Sequence, residues 1–149
     1  MAFLQLHGLC KRYGAIDAVV ATDLSVAKDL SAWTDRVRAA WPRVKVVTVD
    51  TSGIATDPSV GNVMTVRAHL DLAGLTPRDV EVQTVTGRVD ANEQLSDLTT
   101  APMTVIGDGY RYETQLPLNT TGPIGYTVRV LPKNDLLASA AELGLVITA

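Results

Sequence analysis

The stretch NVMTVRAHLD, residues 62–71, decides the fold class, because its side chains alternate strictly between apolar and polar after residue 64. Val66, Ala68 and Leu70 fall on one face of an extended strand, and the polar side chains at 65, 67, 69 and 71 fall on the other. This alternation is typical of an antiparallel strand with one face on a core and the other in water.

Six further segments predict short strands on either side of it. They cover residues 43–50, 79–86, 102–106, 110–116, 124–131 and 143–148, and Gly107-Asp108-Gly109 supplies a hairpin turn between two of them. Residues 51–61, TSGIATDPSVG, predict a long polar turn. Seven short strands without intervening helices favour a mainly β fold, an immunoglobulin-like antiparallel β-sandwich.

The residues before this region have helical periodicity instead. Val26, Leu30, Trp33, Val37 and Trp41 recur at intervals of four, three, four and four, which places them on one stripe of a helix over residues 23–41. Pro42 ends that helix, since proline disfavours the helical conformation of the residue before it. A second, shorter helix is expected within residues 4–20. The predicted organisation is a helical N-terminal segment, residues 1–42, followed by a β-sandwich domain, residues 43–149.

Composition and charge exclude several classes of protein. The 149 residues carry 13 Lys and Arg against 16 Asp and Glu, a net charge of −3, which argues against nucleic-acid binding. The apolar residues 1–10 are too few to span a membrane, and Lys11 and Arg12 follow them rather than precede them as in a signal peptide. We therefore expect a cytoplasmic protein that binds no membrane, with Cys10 as a reduced thiol.

No catalytic, cofactor-binding or metal-binding residue is predicted. His7 and His69 lack a ligand partner at a metal-binding spacing, and His69 falls on the solvent face of its strand. Asp108 and Glu113 offer the carboxylate pair of a glycosidase, but their positions indicate a turn residue and an outward strand residue. The sequence contains no Gly-x-Ser-x-Gly motif and no glycine-rich phosphate loop.

Three aromatic residues are the candidate structural or docking residues. Trp33 and Trp41 share the helical stripe, which predicts packing in the core or a docking face that a missing neighbour would cover. Stacking against sugars is the alternative, and the aromatic content of 5% argues against it. Tyr126 shares a strand face with Val128 and Val130 and resembles a tyrosine corner, in which the ring is buried and the hydroxyl binds the backbone.

Two parts of the chain resemble bacterial α-glucan phosphorylases, the glycogen and maltodextrin phosphorylase family in its long actinobacterial form. Residues 27–44, AKDLSAWTDRVRAAWPRV, are similar to a helix late in the family's chain. The matching positions are Asp29, Leu30, Trp33, Arg36, Val37, Arg38, Trp41 and Pro42. Residues 79–90, 121–132 and 136–145 are similar to the family's C-terminal β-domain, so the resemblance runs from about residue 24 to the end.

The resemblance implies an accessory region rather than an enzyme. Full-length members cleave α-1,4-glucans with inorganic phosphate to give glucose 1-phosphate, using pyridoxal phosphate held on a lysine that follows a methionine. Here Met1, Met64 and Met103 precede Ala or Thr, so we expect no cofactor and no active site in this chain. The partner implied is the catalytic body of a phosphorylase, or a self-association partner. A free-standing carbohydrate-binding module that takes α-glucan and a small interaction protein are the alternatives.

Overall fold

The computed structural model describes residues 14–54 and 59–149. His7, Cys10, Lys11, Arg12 and the first part of the helix expected within residues 4–20 lie outside the described residues. The chain divides into two compact units, of which the first ends at Arg38 and the second is Ala39–Ala149. The boundary between residues 42 and 43 that the sequence suggests stays a prediction.

One helix, α1, spans Gly14–Ala40 and is followed by a 3₁₀ turn at Trp41–Arg43. The predicted helix is confirmed, but it begins at Gly14 rather than at residue 23. The residues between contain neither proline nor glycine, so nothing in the backbone separates the two predicted helices. At the other end Pro42 stops the helix, and the Val44 amide donates to the Trp41 carbonyl at 3.1 Å to close the turn.

The described part of the second unit, residues 39–54 and 59–149, contains eight strands in two antiparallel sheets. The strands are β1 (Lys45–Ser52), β2 (Val63–Asp71), β3 (Val80–Val89), β4 (Leu95–Pro102), β5 (Thr104–Ile106), β6 (Arg111–Pro117), β7 (Ile124–Pro132) and β8 (Ile147–Thr148). One sheet has the order β1-β2-β6-β5 and the other has the order β4-β3-β7-β8. The mainly β sandwich preceded by a helix, predicted from the alternating pattern, is confirmed.

The core lies between the inner faces of the two sheets. On β2 the side chains of Met64, Val66, Ala68 and Leu70 are buried, as the alternation predicts. The opposing sheet contributes inner residues of β3 and β7, and β6 adds Tyr112 and Leu116. His69 is exposed on the outer face, which confirms its predicted position.

Strand β4 is the element that the sequence pattern did not predict. None of its residues is buried, so its side chains carry no apolar alternation to reveal it. Its backbone pairs with β3 along an edge, with a bulge opposite Gly87. The chain then crosses to the other sheet at Met103, whose amide donates to the Val82 carbonyl at 2.8 Å, so the segment predicted as one strand over residues 102–106 is divided there.

Candidate functional site

Both tryptophans that the sequence singled out are buried. Trp33 is 9% exposed on α1, and Trp41 is 6% exposed in the 3₁₀ turn. The indole nitrogen of Trp41 has no hydrogen-bond partner among the described residues. Rings buried to this extent offer no flat surface for stacking against a sugar, and a structural role for both stays a prediction.

Tyr126 lies in a different environment from the one expected. Its ring is 36% exposed, so the expectation of a buried tyrosine corner is wrong. The residue does fall on the inner face of β7, two positions before the fully buried Val128. The cause is its position near the start of β7. The buried part of this face ends at Val128, and the Tyr126 ring lies over a cavity beyond it.

We call this cavity the end cavity, because it opens where β2 begins, β6 ends and β7 begins. Its volume is about 560 Å³. The apolar side chains that line it are Ile54, Val60, Met64, Leu118, Ile124 and Tyr126. Hydroxyl groups on its wall come from Ser59, Thr120 and Thr121. A recess of this size and apolar character is typical of ligand pockets and of sockets for partner side chains.

Backbone hydrogen bonds fix the wall of the end cavity. The Gly61 amide donates to the Leu118 carbonyl at 2.9 Å, and the Leu118 amide donates to the Asn62 carbonyl at 2.8 Å. Farther along, the Val89 amide donates to the Pro123 carbonyl at 3.0 Å. The loop between β6 and β7 is therefore anchored on both sheets, and this wall of the cavity is formed before anything enters it.

A side chain anchors the middle of the same loop. The Arg88 guanidinium donates through Nη2 to the Thr121 carbonyl at 3.2 Å. Gly122 follows with φ of +99°, in the left-handed region that glycine adopts without steric cost. Arg88 is exposed, and through this hydrogen bond its guanidinium helps to hold the loop.

The chemistry available at the end cavity is limited. Apart from the Tyr126 phenol, the described side chains that line it carry no ionisable group, so these residues supply no general base, no metal ligand set and no counter-charge for an anion. Within residues 14–54 and 59–149, no three His, Cys, Asp or Glu side chains lie close enough together to hold a metal ion. Apolar contact with a few hydroxyl hydrogen bonds is what the site can supply.

The carboxylate pair considered from the sequence serves structure instead. Asp108 is exposed in the turn before β6, and its Oδ1 accepts a hydrogen bond from the Tyr110 amide at 3.3 Å. Glu113 forms an ion pair with Arg67, with 2.6 Å between Oε2 and Nε. The two carboxylates therefore lie in a turn and on an outer strand face, as the sequence indicated.

The sequence reading missed the other residues of the end cavity. Ile54 and Val60 lie within residues 51–61, for which the sequence predicts a polar turn. The available signal was that two β-branched apolar residues interrupt a stretch that is otherwise small and polar. Across the cavity, Leu118 lies after β6 and carries no periodic signal, whereas Ile124 begins the predicted strand over residues 124–131, whose alternation does not reveal that it borders a cavity.

A match to a known protein family covers almost all of the second unit. Residues 41–149 match the family described as the glycogen phosphorylase C-terminal domain. The chain belongs to that family. The matched residues begin at Trp41 and include every strand of the sandwich and all residues that line the end cavity. The resemblance noted from the sequence is thereby confirmed.

Individual relatives are much longer than this chain. It is 46% identical over 127 residues to the glycogen phosphorylase of Mycobacterium tuberculosis (strain CDC 1551 / Oshkosh), a match that covers 83% of this chain and 15% of the relative. The glycogen phosphorylase of Mycobacterium bovis (strain ATCC BAA-935 / AF2122/97) is 45% identical over the same length and the same shares. The chain thus spans about 15% of the length of these relatives. No helix among the described residues has the length and apolar character needed to cross a bilayer.

Proposed function

We propose that this chain is a C-terminal accessory region of a glycogen phosphorylase, that it has no catalytic site of its own, and that it associates with the catalytic body. The observation that carries the proposal is the extent of the family match, which takes in the whole sandwich while the relatives continue far beyond it. The end cavity supports it, since its chemistry suits contact with another protein surface better than bond breaking.

The lysines that the structure describes do not fit the family's cofactor. Pyridoxal phosphate chemistry needs a lysine imine held in a site that excludes water. Among the described residues, Lys28, Lys45 and Lys133 are all exposed. None of the three offers a buried position for the cofactor ring, so we derive no step of a reaction through it here. Phosphorolysis, on this proposal, takes place on the catalytic body alone.

The strand order supports an immunoglobulin-like assignment for the sandwich. Naming β1 to β8 as A, B, C, C′, D, E, F and G converts the observed orders into A-B-E-D and C′-C-F-G. These are the two sheets of an immunoglobulin domain with one additional edge strand. We assign the fold on this ground and retain the cytoplasmic location expected from the sequence as part of the proposal. Fold alone implies no activity, so it adds nothing to the functional argument.

A carbohydrate-binding role has one observation in its favour. The exposed ring of Tyr126 lies beside the Thr120 and Thr121 hydroxyls, which could face a sugar. Against it, no described residue of the cavity lining carries a carboxylate, amide or guanidinium group, the groups that recognise sugar hydroxyls in pairs. One ring without a coplanar partner gives little stacking, so the accessory role is the better supported of the two.

Two measurements test the proposal. In the first, the purified chain is supplied with pyridoxal phosphate, inorganic phosphate and glycogen, and glucose 1-phosphate is assayed. We expect no release above that of a sample whose lysines are chemically blocked. Phosphate-dependent release above this control would contradict the absence of a catalytic site.

The second measurement addresses association. The matching region of the Mycobacterium tuberculosis relative is exchanged for this chain, and the unfolding of the sandwich is followed in the chimaera and in the isolated chain. We expect the sandwich to unfold at a higher temperature in the chimaera, because binding to the folded state stabilises it. Two independent transitions, with the sandwich unfolding as it does alone, would show that no association occurs.

A further inference from the structure

We propose that the end cavity is the surface by which the sandwich docks on the catalytic body, and that it receives apolar side chains of that body. This inference rests on the proposed function, and it names the surface through which the association takes place. The two can fail separately, since the sandwich could associate through another surface.

Exposed apolar side chains concentrate around the mouth of the end cavity. Ile54, Val60 and Tyr126 line it and are exposed by 46%, 57% and 36%. The other large apolar side chains that are exposed among the described residues are distributed along α1, β1, the outer face of β2, β4, β5, the hairpin before β6 and the C-terminal segment. A contiguous group around a recess marks an interaction site, whereas scattered exposed residues need no explanation.

The end cavity also has the preformed shape that a docking site requires. Its loop is held by the Leu118 backbone bonds to Gly61 and Asn62, by the Val89 bond to Pro123, and by the Arg88 side chain. A wall held in this way loses little conformational entropy when a partner binds. Side chains that enter such a recess are the ones that contribute most to binding.

The side chains that line the end cavity determine which class of ligand or partner it can bind. A phosphate or other anion would need a positive charge, and a glucan would need paired polar groups. The lining residues that the structure describes offer neither. What remains is an apolar protein surface. The matched region makes up 15% of each relative, so the remainder of a phosphorylase chain is the protein surface always present beside it.

The test uses amide hydrogen exchange in the isolated chain and in the chimaera described above. In the chimaera we expect the amides of Gly61 and Leu118 to exchange roughly tenfold more slowly than in the isolated chain, because docking suppresses local opening of the wall. Val60→Glu and Tyr126→Ser should remove this difference.

Matched controls carry the same changes elsewhere. Leu98→Glu replaces an apolar side chain that is 61% exposed on β4, and Tyr110→Ser replaces a ring that is 47% exposed beside β6. Both controls should keep the slow exchange in the chimaera. The melting temperature of the isolated chain should change little in Val60→Glu and Leu98→Glu, since both side chains are mostly exposed. The two tyrosine variants should lower it by similar amounts, since each ring is partly covered.

Any other outcome contradicts the proposal, and each one points to a different explanation. If the sandwich is stabilised in the chimaera but Val60→Glu behaves like Leu98→Glu, docking uses another surface and only this inference fails. If the chimaera and the isolated chain exchange alike throughout, the proposed function fails with it. Slower exchange of the Leu118 amide on adding maltoheptaose to the isolated chain would assign the cavity to sugar. Sedimentation of the isolated chain as a dimer that Val60→Glu dissociates would assign it to a second copy.

Discussion

The two ends of the sandwich are built from the same strands and differ in how they are closed. At the end where β2 leads into β3, Leu72 and Leu75 are buried in the connecting turn. The Asp79 carboxylate accepts hydrogen bonds there from the Thr76 amide at 2.9 Å and the Thr76 hydroxyl at 2.8 Å. At the opposite end the connection between β6 and β7 runs around the end cavity instead of filling it. We call the first the closed end of the sandwich and the second its open end.

The difference is visible along a single strand. On the inner face of β7, Val128 and Val130 are fully buried, whereas Tyr126 on the same face is 36% exposed. Consecutive residues on one face lie about 7 Å apart, so the core ends within one such step. The alternation of a strand therefore tells which face a side chain occupies, and the adjoining loop determines whether that position is covered.

Truncation of one leucine at each end gives the largest contrast. Leu72→Ala at the closed end should lower the free energy of unfolding by about 3 kcal/mol, because it leaves a cavity where Leu72 is fully buried. Leu118→Ala at the open end should cost about 1 kcal/mol, since the Leu118 side chain is only half-buried. Urea unfolding of the isolated chain measures both, and equal losses would show that the two ends are packed alike.

The same contrast explains how far the sequence could predict this molecule. Strands β2 and β7 alternate over most of their length and β3 alternates at its start, so their existence and the inner faces of β2 and β7 were predictable. Strand β4 was not, because it is held by backbone bonds to β3 and buries no side chain. The end cavity was not predictable either. Ile54 and Tyr126 are far apart in the sequence, and they line one cavity only because of how the two sheets pack in the folded sandwich.

The ionisation of Tyr112 tests the closed part of the core. Burial raises the pKa of the Tyr112 phenol from 10.0 to about 12, and its hydroxyl has no hydrogen-bond partner among the described residues. Below pH 10 the phenol is neutral in both the folded and the unfolded chain, so its contribution to stability is fully present. Between pH 10 and 12 the unfolded chain alone loses the proton, and the free energy of unfolding should fall by about 2 kcal/mol.

Tyr112→Phe supplies the control for that titration. The variant should keep its stability at pH 7, because no hydrogen bond is lost with the hydroxyl. Between pH 10 and 12 it should lose less stability than the wild-type chain, as measured by urea unfolding at each pH. If the free energy of unfolding falls equally with pH in the two proteins, Tyr112 is not the group responsible for the loss of stability.

Two glycines test whether the open end is loosely packed on both faces of its sheet. Gly87 and Gly125 face each other across β3 and β7, on the side away from Tyr126. A methyl group on Gly87 would lie 2.5 Å from the Ser96 carbonyl oxygen, and one on Gly125 would lie 2.5 Å from Leu95 Cδ2. Backbone cannot move aside as a leucine side chain can.

Alanine at these two positions should therefore have unequal effects. Gly87→Ala should cost about 2 kcal/mol, because β4 must shift, while Gly125→Ala should cost about 1 kcal/mol after Leu95 changes rotamer. Thermal unfolding of the two variants measures the difference. Small losses in both would mean that the open end is loose on its outer face as well as around the cavity.

The smallest effect is expected on the outer face of the other sheet, where Arg67 pairs with Glu113 and its Nη1 donates to the Ser52 hydroxyl at 3.1 Å. The Arg67 side chain is 51% exposed and that of Glu113 is 30% exposed, so water and salt screen the pair. Arg67→Ala should therefore cost about 0.5 kcal/mol at low ionic strength, with part of the loss coming from the contact with Ser52. In 1 M salt the difference from wild type should shrink, because only the ionic part of the interaction is screened. A loss as large as that of Leu72→Ala would mean that this charged face stabilises the sandwich as strongly as its closed end does.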